Sequence, residues 1–154
     1  MAFTSLWGNY PDSLEIPLKG KASRAYLLMA GSTNHMQCHI DNGVIRIYYK
    51  DGTRDVMFLR NPDNWPPIEH IFFEDGLAFN RHTPALYRLR LKTGEISNNF
   101  GEELGFPGAS RELDGGAAVL LEMPLNPGKK LSHLVLETLS NDVVIGLMSI
   151  TLQR

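Results

Sequence analysis

The chain has 154 residues, 43% of them apolar and 21% charged, with a net charge of −2 and a pI near 6.2. That length suits one domain with a core of its own, and the 15 basic residues are scattered, with no run longer than Lys129-Lys130. The balance excludes the electrostatic footprint of nucleic-acid or acidic-membrane binding. The single cysteine, Cys38, excludes an internal disulfide. No apolar run reaches the roughly 18 residues of a membrane span, and the opening MAFTSLWGNYPDS does not read as a signal peptide.

Met1 to Pro11 is aromatic and polar without periodicity and reads as a surface lead-in. Ser13 to Leu18 alternates weakly, and Pro17 places it at a sheet edge. After the turn Lys19-Gly20-Lys21, the apolar run Arg24 to Ala30 predicts a buried strand. Helix is the alternative there, although seven residues is short for one. Asn34 to Asp41 carries Met36, Cys38 and Ile40 at a period of two, which predicts a short strand leading through Asn42-Gly43.

Gly43 to His70 is the most informative stretch. Asp51-Gly52 between runs of Val, Ile, Tyr and Phe predicts a β-hairpin. With a two-residue turn, Lys50 pairs with Thr53, Ile47 faces Val56 and Ile45 faces Phe58, giving one continuous apolar face. Val44/Leu59, Arg46/Met57 and Tyr48/Asp55 then share the less buried face, where Tyr48 and Asp55 suit an interdomain surface. The loop Asn61 to Pro67 follows, with Trp65 on a proline-bounded turn and Glu69 close behind.

Ile68 to Phe79 predicts a loop around Asp75-Gly76 with a brief extended piece, and Pro84 to Leu91 a strand before the turn Lys92 to Glu95. Ser97 to Asp114 is turn-rich, the longest region without a clear element. Ala117 to Met123 is an apolar strand broken by Pro124 to Lys130. Leu131 to Leu139 and Val143 to Leu152 predict a second hairpin across Ser140-Asn141-Asp142. The last strand is apolar on both parities, so it should be central and covered on both faces, with Gly146 marking close approach by a neighbouring backbone. About eight strands, no convincing amphipathic helix and no repeat predict a single all-β domain over residues 1–154, an antiparallel β-sandwich of jelly-roll type.

Four constellations carry chemistry. Trp65 with Asn64, Glu69 and His70 suits a carbohydrate platform, the indole stacking on apolar sugar faces and the polar groups giving directional hydrogen bonds. Trp7 and Tyr10 are weaker candidates, and the competing reading has Trp65 capping the core. His35, Cys38 and His39 are metal-ligand types, but a strand would turn neighbours 38 and 39 apart, and no second cluster completes a closed zinc site. No metal and no cofactor is therefore expected. Glu69, Glu74 and Asp75 could supply the paired carboxylates of a glycosidase, and Glu102-Glu103 with Arg111-Glu112 reads as a solvated face. There is no GxSxG, phosphate loop or dinucleotide fingerprint.

The stretches LLMAGSTNHMQ (27–37), NGVIRIYYKDGT (42–53), NPDNWPPIEH (61–70), DGGAAVLLEMPL (114–125) and NDVVIGLMSITLQR (141–154) resemble the C-terminal portion of the DUF4450 family. These are large proteins of polysaccharide-degrading bacteria. The resemblance runs from about Trp7 to Arg154, and no residue in it carries an established catalytic role. It departs at the loop, where the family pattern NPxNWWPIEQD meets Pro66 and His70. It implies a galactose-binding-like accessory domain of a larger periplasmic or secreted carbohydrate-active protein, beside a glycosidase-like part. The expectation is a non-catalytic module whose partners are carbohydrate and the catalytic domain of the same parent chain, with no nucleic acid and no membrane. The alternatives are an interdomain-packing module without a ligand, and a small glycosidase using its acidic loop residues.

Overall fold

The computed structural model describes residues 1–34, 36–70, 81–100 and 112–154. Ten strands are described: β1 (Ala2–Ser5), β2 (Ser13–Pro17), β3 (Arg24–Thr33), β4 (Asp41–Tyr49), β5 (Arg54–Arg60), β6 (Arg88–Arg90), β7 (Ile96–Ser97), β8 (Ala117–Pro124), β9 (Leu131–Thr138) and β10 (Val143–Gln153). They form two antiparallel sheets, ordered β1-β10-β3-β8-β6-β7 and β2-β9-β4-β5. The pairs β4–β5, β3–β8, β2–β9 and β1–β10 are nested one inside the next, so the chain is a single long antiparallel ribbon rolled into two sheets. That is the jelly roll. Its eight strands match the expected number, and β6–β7 is a short hairpin added beyond β8.

The core lies between the sheets. Leu27, Met29, Leu121, Ile145 and Leu147 come from one, Ile45, Ile47, Leu59, Leu134 and Leu136 from the other, all with 4% exposure or less. Alternation places them: the burial of β9 from His133 onward and of the second half of β10 follows the pleat residue by residue. Gly146 sits where foreseen, since a β-carbon there would stand 2.5 Å from the Ala30 carbonyl oxygen and 2.7 Å from the Phe3 ring. No helix among the described residues is long and apolar enough to cross a membrane.

Met1 to Pro11 is more than a surface lead-in, because Ala2–Ser5 forms β1 against β10 and buries Thr4 and Ser5. Five further sequence expectations are corrected. In the β4–β5 hairpin the loop has three residues, Lys50-Asp51-Gly52, because Gly52 takes a left-handed φ of 86° and Tyr49 N–H bonds to the Thr53 carbonyl at 2.9 Å. Asp51 holds this loop by accepting from the Thr53 backbone N–H and hydroxyl at 2.9 and 2.6 Å. Ile45 therefore faces Met57, and Ile47 faces Asp55. The one-residue slip exchanges the faces of β5: Asp55, Met57 and Leu59 turn inward, while Val56 and Phe58, each 43% exposed, turn out.

Second, β9 and β10 do not form a hairpin. They belong to different sheets, and Ser140–Asp142 crosses between them, with Asp142 in a left-handed conformation. Third, the described residues from Asn34 to Ile40 form no strand, and Asp41 already begins β4. Met36 and His39 lie in turns, His39 with a φ of 57°, and Cys38 joins Asn61 through an isolated bridge instead of a ladder. Fourth, the Pro84 to Leu91 strand shrinks to β6. Fifth, β10 is covered on both faces only as far as Leu147, beyond which Ser149, Thr151 and Gln153 are exposed.

Candidate functional site

The loop that follows β5 turns back under the β6–β7 hairpin. Asn64 makes the reversal: its side-chain oxygen accepts from Arg60 N–H at 2.7 Å, and its amide donates to the Phe58 carbonyl at 2.8 Å. Trp65 N–H bonds to the Arg60 carbonyl at 3.0 Å, and the indole enters the core with 1% exposure. Both are corrections to the expected platform. Trp65 caps the core and offers no face for stacking, because the reversal at Asn64 directs it inward, and the polar groups of Asn64 are bonded to β5.

Glu69 accepts Leu113 N–H on its carbonyl at 2.7 Å, and its carboxylate lies near the Arg88 guanidinium. His70 bridges to Glu112 and accepts Arg88 on its carbonyl. Trp7 and Tyr10 follow β1 with 58% and 40% exposure, the Tyr10 ring tilted against Phe3 at 5.2 Å, and neither lines the cavity described next. Glu74, Asp75, His35, Glu102, Glu103 and Arg111 lie outside the described residues.

A cavity of about 110 Å³ opens beside the loop. Its apolar wall is Pro62, Pro66, Leu86 and Phe100, and its polar wall is Asp63, Arg81, Arg88, Ser97, Asn98 and Asn99. That is room for several waters or one functional group of a larger ligand. Sequence reasoning found the loop but missed the residues of it that face the cavity, Pro62, Asp63 and Pro66, and every lining residue from 81 onward.

Arg88 organises this region. From β6 its guanidinium donates to the carbonyls of His70, of Pro67 at 3.0 Å, of Ile68 at 3.2 Å and of Ala117 at 3.0 Å. Burial pushes its pKa down to about 10, with the Glu69 carboxylate acting the other way. Its buried Nε has no hydrogen-bond partner among the described residues.

At the rim, His39, Asp63 and His82 come together from three segments, with their ligand-type atoms all within 4.8 Å of one another. Of the cluster weighed from sequence, His39 takes part here, while Cys38 Sγ accepts from the Asn61 side-chain amide at 3.5 Å and His35 lies outside the described residues. Asp63 and His82 carried no local signal, since nothing in their spacing links them to His39.

Compared with protein-family models, with curated proteins and with solved structures, the chain finds no match in any of the three.

Proposed function

We propose that this jelly roll is a non-catalytic accessory module of a larger carbohydrate-active protein, and that it takes one end of a glycan into the cavity beside Asp63. The observation that carries the reading is the lining itself. Arginine and asparagine side chains face proline, leucine and phenylalanine across a space sized for one hydroxyl- or carboxylate-bearing substituent. Sugars present that pairing of polar edge and apolar face. The resemblance to the DUF4450 family supplies the context of a parent enzyme. The fold supports the reading only by analogy, because jelly rolls serve many functions.

The test is affinity electrophoresis of the purified chain through neutral and acidic polysaccharides, repeated with Asn98→Ala, Arg81→Ala and, as a core control, Trp65→Phe. Retardation that disappears in the two cavity variants and persists in Trp65→Phe supports the reading. Retardation by no glycan sinks it. That outcome favours interdomain packing, to which Val56 and Phe58, side by side on the outer face of β5, lend themselves.

A further inference from the structure

We propose that His39, Asp63 and His82 form a site for one first-row transition metal ion, of which Zn²⁺ suits the donors best. Two imidazole nitrogens and one carboxylate oxygen converge within 4.8 Å. Around a zinc ion with bonds of about 2.0–2.2 Å, tetrahedral ligand atoms stand about 3.3 Å apart. Small rotations of the His39 and His82 side chains, both exposed, close the difference.

The scaffold that brings the three together is built from other atoms. His39 N–H bonds to the Asn61 carbonyl at 2.7 Å, which ties the left-handed residue 39 to the start of the loop bearing Asp63. Asp63 Oδ1 accepts His82 N–H at 2.7 Å, and the Asp63 carbonyl accepts the Thr83 hydroxyl at 2.9 Å. The segments are thus pinned by two backbone N–H groups, the Thr83 hydroxyl and one oxygen of the Asp63 carboxylate. The two imidazoles are left side by side, ring centres 4.7 Å apart at 44°, with Asp63 Oδ2 3.6 Å from His82 Nδ1.

Nitrogen donors in the majority disfavour Ca²⁺ and Mg²⁺, which take oxygen ligands, and suit Zn²⁺ and its neighbours in the first row. Three protein ligands leave a coordination position open, here toward solvent. Asp63 belongs both to this cluster and to the cavity wall, so the ion would stand at the cavity mouth. This inference is independent of what the cavity binds.

The experiment is calorimetric titration of the chelator-treated chain with ZnCl₂, alongside His39→Ala, His82→Ala and, as a surface control, His133→Ala. Circular dichroism of each variant confirms that it is folded. The expected result is one Zn²⁺ per chain, weakened at least about tenfold by either of the first two substitutions and unchanged by the third. Absorbance of the Co²⁺ form should show the intense visible bands of four- or five-coordination. No stoichiometric binding overturns the proposal, and so does binding that both histidine variants leave unchanged.

Discussion

The indole of Trp65 lies so close across Gly31 that a β-carbon on the glycine would stand 2.8 Å from Cζ2 and 2.9 Å from Cη2. The same β-carbon would fall 2.0 Å from the Val144 carbonyl oxygen, which is backbone and cannot swing aside. Gly31→Ala should therefore destabilise the fold by about 2–3 kcal/mol, as overpacking of a rigid core does. Urea denaturation measures it. An alanine variant as stable as the parent would mean that Trp65 does not seat there.

The hairpin register makes an opposite pair of forecasts for adjacent residues. Leu59 is fully buried and Phe58 is 43% exposed. Leu59→Ala should cost about 2–4 kcal/mol, and Phe58→Ala less than about 1. The register with a two-residue turn would reverse the order, so the two denaturation midpoints decide between them.

Tyr49 carries a pH dependence. Its hydroxyl donates to the Asp55 carboxylate and accepts Asn126 N–H at 2.8 Å. Burial first, and the bond to Asp55 next, push its pKa up to about 12. An acid whose pKa is raised on folding gives stability that is complete below its unfolded value near 10 and is lost as pH climbs through the folded value. An ultraviolet titration should show one of the five tyrosines ionising about two units after the ordinary range, and Tyr49→Phe should remove that step. The stability gap between the parent and Tyr49→Phe should narrow at alkaline pH. A gap constant from neutral pH to 12 would refute the assignment.

Arg88 binds four carbonyls on the loop and on β8 through one planar group. Lysine offers a single ammonium and cannot span them. Arg88→Lys should cost about 2–4 kcal/mol. Amide exchange should speed up at Leu113 and Ala117, whose N–H groups bond to the Glu69 and Ile68 carbonyls at 2.7 and 2.8 Å. Unchanged exchange at both would show that the guanidinium is not what holds the loop.

Most of the strands were legible in the sequence because β-branched and aromatic runs between Gly and Pro punctuation need no tertiary information; β1 and β7 were not, being four and two residues long and too short to show a period. The turns were less so. Asp51-Gly52 serves a two-residue turn as well as the end of a three-residue one, and the choice between them decides which side of β5 meets the core. The crossing between β9 and β10 was hidden for a related reason, since a short polar link between apolar strands reads as a hairpin whether or not they pair. The fate of Trp65 is set by Gly31, remote in sequence, so prolines around an aromatic residue could not reveal whether it faced in or out. The rim cluster was invisible because it is a property of three loops at once.

The nesting of the jelly roll also bears on how fast the chain finds it. Among the described strands only β4–β5 and β6–β7 pair with a sequence neighbour, while β1–β10 joins Ala2 to Leu147. Late pairings close long loops before any contact repays the lost entropy, so folding should be slow for the size of the domain and should begin at the β4–β5 turn. Substitutions at Asp51 would then change the folding rate, and those in β1 would change mainly the rate of unfolding.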